Sequence, residues 1–130
     1  MDRVFLDANV LFSAAYRREA GLTRLWKLPE VTLITSDYAA QEATLNLSDA
    51  AQRKLLDGLL SAMHVVATPS SRRLPQGFAL PDKDVPIFLA AREALATHLL
   101  TGDKQHFGRY FGRKVAGVLI LPPGDYLRSG

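Results

Sequence analysis

Apolar residues recur along this chain in short blocks separated by longer amphipathic stretches. The blocks at 3–6, 31–34, 63–67, 98–101 and 117–121 are too short for helices and have the aliphatic, β-branched character of buried strands. Between them the spacing predicts helices over 9–16, 21–28, 37–46, 48–62 and 84–96, with shorter turns near 104–111 and 123–128. Strands that alternate with helices imply an α/β domain whose mostly parallel sheet, of about five strands, is covered on both faces. Ser48-Asp49 offers a cap to the helix over 48–62, whose Leu55, Leu56, Leu59, Leu60 and Met63 form one apolar stripe. That stripe suits a core face better than a subunit interface, and Trp26, near Leu22, Leu25 and Leu28, reads as packing rather than a base-stacking platform. Residues 67–81 are rich in turn formers and lack a period, so they read as a long loop.

A length of 130 residues fits a single domain, 1–130, able to bury roughly two-thirds of its unfolded surface. The absence of cysteine excludes disulfides, thiolate metal sites and cysteine nucleophiles, leaving oxygen and histidine as the ligands for any metal. The charged start Met1-Asp2-Arg3 runs straight into a strand, and no apolar run approaches the ~20 residues of a membrane span. Both features predict a cytoplasmic protein without a signal peptide and without a membrane partner. A net charge of +3 is too small to argue for nucleic acid by itself. If clustered acids were neutralised by metal, however, the remaining surface would be more basic. Arg17, Arg18, Arg72, Arg73, Lys83, Lys104, Arg109, Arg113 and Lys114 would then be candidate phosphate contacts, although any one such charge is more often merely solvated.

Candidate chemistry lies in four acids. Asp7 follows the apolar Val4-Phe5-Leu6, and Asp103 follows the block ending Leu99-Leu100-Thr101-Gly102, so both fall at the carboxyl ends of strands, where open α/β sheets bind ligands. Glu42 belongs to the helix after the second strand. Asp84 opens a helix that tolerates Pro86 in its first turn and should be oriented by that turn's exposed N–H groups. A lone Asp in such a place is usually a cap, but four at corresponding positions form a site. Carboxylates gathered without a cation repel one another and raise a pKa, and a hard divalent ion such as Mg2+, or Mn2+ in its stead, relieves this. Such a site suits phosphodiester hydrolysis and requires no protein nucleophile.

The spacing leaves other residues open. Asp82, two residues before Asp84, is placed farther out as a supporting group. His106 stands three residues after Asp103, within reach of the same cleft, yet an ordinary half-buried histidine is the simpler reading. His64 and His98 show no metal spacing. An aspartyl phosphatase would want an acid where Asn9 stands, and no glycine-rich phosphate loop with lysine occurs.

Taken together, Phe5-Leu6-Asp7-Ala8-Asn9-Val10-Leu11, Glu42, Asp82-Lys83-Asp84-Val85-Pro86 and Thr101-Gly102-Asp103 resemble the PIN-domain ribonucleases, and especially the VapC-type toxins of prokaryotic toxin-antitoxin pairs. The resemblance runs over nearly the whole chain. It implies a three-layer α/β/α sandwich and Mg2+- or Mn2+-dependent cleavage of RNA by Asp7, Glu42, Asp84 and Asp103, leaving 5′-phosphate and 3′-hydroxyl ends. It also implies Asn9 and Thr101 as supporting residues, a cognate antitoxin and a homodimer. Two alternatives stay open: a catalytically silent PIN-like module that binds RNA or protein, and a housekeeping RNA-processing nuclease.

Overall fold

The computed structural model describes residues 1–16 and 21–129, so Arg17 and Arg18 lie outside the described residues. Its elements run β1 (Asp2–Leu6), α1 (Ala8–Tyr16), β2 (Val31–Ser36), α2 (Asp37–Asn46), α3 (Ala50–Ser61), β3 (His64–Val66), α4 (Val85–Glu93), β4 (His98–Leu100), α5 (Lys104–Phe107), β5 (Lys114–Val115), β6 (Val118–Leu121) and α6 (Pro123–Ser129). Short 3-10 turns occupy Leu22–Lys27, Asp82–Asp84 and Gly108–Tyr110.

The six strands form one sheet in the order β3-β2-β1-β4-β6-β5, parallel except where β5 meets β6. β1 lies at its centre, with Val4 opposite Leu33 of β2 on one side and Leu6 opposite Leu100 of β4 on the other. Val4, Phe5 and Leu6 are fully buried, as a strand covered on both faces requires. From β1 the chain first builds outward through β2 and β3, then returns to add β4 on β1's opposite flank. The carboxyl ends of β1 and β4 therefore border the crevice where connections diverge, the place a doubly wound sheet offers a ligand.

Local chemistry fixes the helix starts. The Ser36 hydroxyl accepts from Ala39 N at 3.1 Å to cap α2, while Asp49 Oδ1 accepts from Ala51 N and Gln52 N at 2.7 and 3.2 Å to cap α3. Within the expected apolar stripe Leu56 is fully buried, whereas Leu55, Leu59, Leu60 and Met63 are half-buried. Trp26 packs against the core and donates its indole N–H to Leu59 O at 3.0 Å, tying the Leu22–Lys27 turn to α3.

Three differences from the sequence reading have physical causes. The segment expected as a helix over 21–28 is a 3-10 turn, because Pro29 holds Leu28 extended and stops the turn from lengthening. The helix expected over 84–96 ends at Glu93 in a Schellman motif, with Ala96 N bonded to Ala91 O and Leu95 N to Arg92 O. Leu95 adopts φ 59° at the position where glycine usually serves. Finally, β5 adds a sixth strand: Ala116 and Gly117, at φ 49° and 86°, make the tight turn that folds it onto β6. No described helix is long and apolar enough to cross a membrane.

Candidate metal centre

The end of β1 aims Asp7 into the crevice. Its side chain is buried and held on both oxygens: Ala8 N donates to Oδ1 at 2.6 Å, and the Thr101 hydroxyl and Asn9 Nδ2 donate to Oδ2 at 2.8 and 3.3 Å. The buried Thr101 hydroxyl also accepts from Asn9 Nδ2 at 3.2 Å and from Asp103 N at 3.1 Å. Asn9 Oδ1 in turn accepts from Gly102 N at 2.9 Å. Asn9 and Thr101 thus cross-brace the loops after β1 and β4. Replacing Thr101 with valine keeps the shape but strips partners from Asp7, Asn9 and Asp103 N at once. It should cost about 2–3 kcal/mol in urea unfolding, and a loss below about 0.5 kcal/mol would show the brace to be idle.

A cavity of about 710 Å3 opens over this corner, and Asp7, Glu42, Asp84 and Asp103 all line it. Glu42 reaches it from α2. That helix is held to the Asp82–Asp84 turn by the Tyr38 hydroxyl, which donates to Lys83 O at 3.0 Å. Lys83 is the one basic side chain on the cavity wall among the described residues. Arg72 lies farther out and donates to Asp82 O at 2.9 Å. Arg109 stacks 5.5 Å above the Tyr110 ring, while Arg73, Lys104, Arg113 and Lys114 are exposed. Asp82 is exposed and does not line the cavity.

Asp84 departs from the sequence reading in one respect. It adopts helical dihedrals and its carboxylate makes no capping hydrogen bond, because the 3-10 turn runs directly into α4 and leaves no extended residue to fold back on the first N–H groups. Instead Asp84 Oδ2 points at His106 Nδ1, 2.9 Å away. His106 also brings Nδ1 within 2.7 Å of Asp103 Oδ2, and Asp103 uses its other oxygen to cap α5, accepting from His106 N at 3.1 Å. Asp84, Asp103 and His106 present ligand atoms within 4.8 Å of one another. Only the three-residue spacing between Asp103 and His106 hinted at this in the sequence. Nothing local tied His106 to Asp84, and His64 and His98 stand elsewhere on β3 and β4.

The electrostatics follow from this crowding. Burial raises the Asp7 pKa to about 6, partly opposed by the Thr101 and Ala8 hydrogen bonds and reinforced by the charges of Asp84 and Glu42. Desolvation raises Asp84 as well, with His106 pulling it back and Asp103 pushing it up. Glu42 is raised by desolvation, relieved by Lys83 and reinforced by Asp84. Four carboxylates around one cavity, one of them with a buried oxygen that lacks an aligned partner, fit a hard divalent cation in donor type and charge.

No family model and no curated protein sequence matches the chain. Solved structures do match over nearly its whole length. A chain of VapBC2 from Rickettsia felis, bound to a DNA fragment from their promoter, superposes with a TM-score of 0.68 at 15% identity, covering 92% of this chain and 98% of that one. A toxin-antitoxin complex from Klebsiella pneumoniae gives 0.61 at 19% identity, covering 89% and 95%, and FitAcB from Neisseria gonorrhoeae gives 0.59 at 19%, covering 93% and 98%. The chain therefore has the three-layer α/β/α fold of PIN-like proteins of the VapC type, as the sequence resemblance implied.

Proposed function

We propose that this chain is a divalent-metal-dependent endoribonuclease, acting in the cytoplasm as the toxin of a toxin-antitoxin pair. The observation that carries the reading is the convergence of Asp7, Glu42, Asp84 and Asp103 on one cavity at the crevice of the sheet. Asp7, Glu42, Asp84 and Asp103 would hold one or two Mg2+ or Mn2+ ions, and a bound cation there would neutralise a scissile phosphate and make water a competent nucleophile near neutral pH. Thr101 and Asn9 keep Asp7 oriented. Lys83, on the cavity wall, is placed to meet an RNA phosphate.

The toxin assignment, with a cognate antitoxin as partner, draws on the similar VapBC2 structure and the similar toxin-antitoxin complex, while the homodimer rests on the sequence resemblance alone. The retained cluster of mutually repelling acids favours an enzyme over a silent binding module. The test pairs Mn2+ titration by calorimetry with cleavage of single-stranded RNA, for the wild type and Asp84→Asn. The wild type should bind Mn2+ and cut RNA only with added metal, and Asp84→Asn should lose at least about tenfold in both affinity and cleavage. Cleavage that persists in excess chelator would sink the proposal.

A further inference from the structure

The corner formed by Asp84, Asp103 and His106 differs from a purely carboxylate site. The Asp84 side chain is only 9% exposed, lines the cavity, and leaves Oδ2 without an aligned hydrogen-bond partner. His106 Nδ1 is buried and likewise unpartnered, although it lies 2.9 Å from Asp84 Oδ2 and 2.7 Å from Asp103 Oδ2. A histidine serving only as a donor would align its N–H with one of those oxygens. Here two close approaches are made and neither has hydrogen-bond geometry. Donors in adjacent positions of an octahedron with bonds of about 2.1 Å lie roughly 3 Å apart, close to both N···O separations.

The backbone supports the same arrangement. Asp103 Oδ1 is committed to His106 N, which fixes the carboxylate so that Oδ2 faces the imidazole. Phe107, fully buried beside His106, anchors α5 in the core, so the imidazole is carried on a constrained turn.

We infer that His106 Nδ1 is a nitrogen ligand completing a metal position with Asp84 and Asp103, and that this position favours ions which accept imidazole, such as Mn2+, Co2+ or Zn2+, over Mg2+. The inference deepens the proposed metal-dependent function and rests on that site binding a cation. Its basis is ligand chemistry: Mg2+ is held by oxygen and dehydrates reluctantly, whereas imidazole suits the later divalent metals. Asp7 and Glu42, which line the same cavity, offer only oxygen.

The test is pulsed EPR of the full chain loaded with Mn2+, together with calorimetric titration of Mg2+ and Co2+ into the wild type and His106→Ala. The wild-type Mn2+ spectrum should carry 14N coupling from a histidine, and this readout requires no variant to fold. His106→Ala should abolish the coupling and weaken Co2+ binding by about tenfold to a hundredfold, with Mg2+ affinity moving by less than about threefold. Mn2+ bound without 14N coupling would overturn the inference while leaving the nuclease reading intact. Equal weakening of both ions by His106→Ala would also overturn it, marking His106 as a positioning residue for the two aspartates. Failure to bind Mn2+ at all would remove both readings.

Discussion

Asp7→Asn should lower metal-dependent RNA cleavage by about a thousandfold or more, and yet make the metal-free protein more stable above pH 6. A thousandfold corresponds to about 4 kcal/mol of lost transition-state stabilisation, the loss expected if Asp7 is the buried anionic ligand proposed above. The gain in stability follows from the sign of the pKa shift. Asp7 titrates near 6 in the folded chain against 3.8 for the free group, so between these values the folded state holds more protons than the unfolded. The contribution of Asp7 to stability is thus fullest below pH 3.8, falls as pH rises through about 6, and above that is replaced by the whole cost of an ionised, buried carboxylate. A shift of this size corresponds to roughly 3 kcal/mol. Asparagine removes the charge but has one acceptor oxygen for Ala8 N and the Thr101 hydroxyl, which Asp7 satisfies with two. The net gain expected at pH 8 is therefore about 1–2 kcal/mol, vanishing near pH 4. Urea unfolding in chelator at the two pH values, beside a cleavage assay, checks both halves. A variant no more stable than the wild type at pH 8 than at pH 4 would refute the electrostatic account.

This opposition between stability and function explains which parts of the molecule could be read from sequence. The strands were legible because a strand buried on both faces must be apolar, as Val4-Phe5-Leu6 and Leu99-Leu100 are, and because caps such as Asp49 announce the helices that follow. Parallel order followed from alternation with helices. What escaped depended on residues that do not advertise their conformation. Leu95 ends α4 in a left-handed geometry with no glycine to mark it, and β5 is two residues long.

The site shows the same division. Asp7 and Asp103 could be placed at strand ends because their positions follow from chain direction alone. The relation of His106 to Asp84 could not be, since twenty-two residues and a strand separate them and only packing brings α5 against the start of α4. The orientation of Asp84 was inferred from a local rule about helix caps. The structure overrides that rule because a 3-10 turn precedes α4 and a tertiary partner lies within reach.

Phe88→Ala tests whether the aromatic core beneath α4 is what holds that corner together. Phe88 is fully buried in α4; its ring lies 4.5 Å from Phe78 in the long loop, and Phe78 lies 4.5 Å from Tyr110 just beyond α5. The Tyr110 hydroxyl clasps the loop by accepting from Ala79 N at 3.1 Å and donating to Ala79 O at 3.0 Å. One aromatic cluster, tilted and edge-on in its contacts, therefore fastens the helix that follows Asp84, the loop that leads into it and the turn that follows His106. Truncating Phe88 removes the ring that anchors this cluster in α4 and leaves a void, at an expected cost of about 3–5 kcal/mol. Against a typical domain stability of about 5–15 kcal/mol that is a large fraction. Because Asp84 and His106 sit on segments that meet through this cluster, Mn2+ affinity should fall by about tenfold even at temperatures where the variant stays folded. Tyr110→Phe, which keeps the ring and loses only the clasp, should cost about 1–2 kcal/mol. Urea unfolding and Mn2+ calorimetry on both variants decide the matter. A Phe88→Ala protein destabilised as expected but binding Mn2+ like the wild type would mean that the proposed ligands are positioned by their own loops and not by the core.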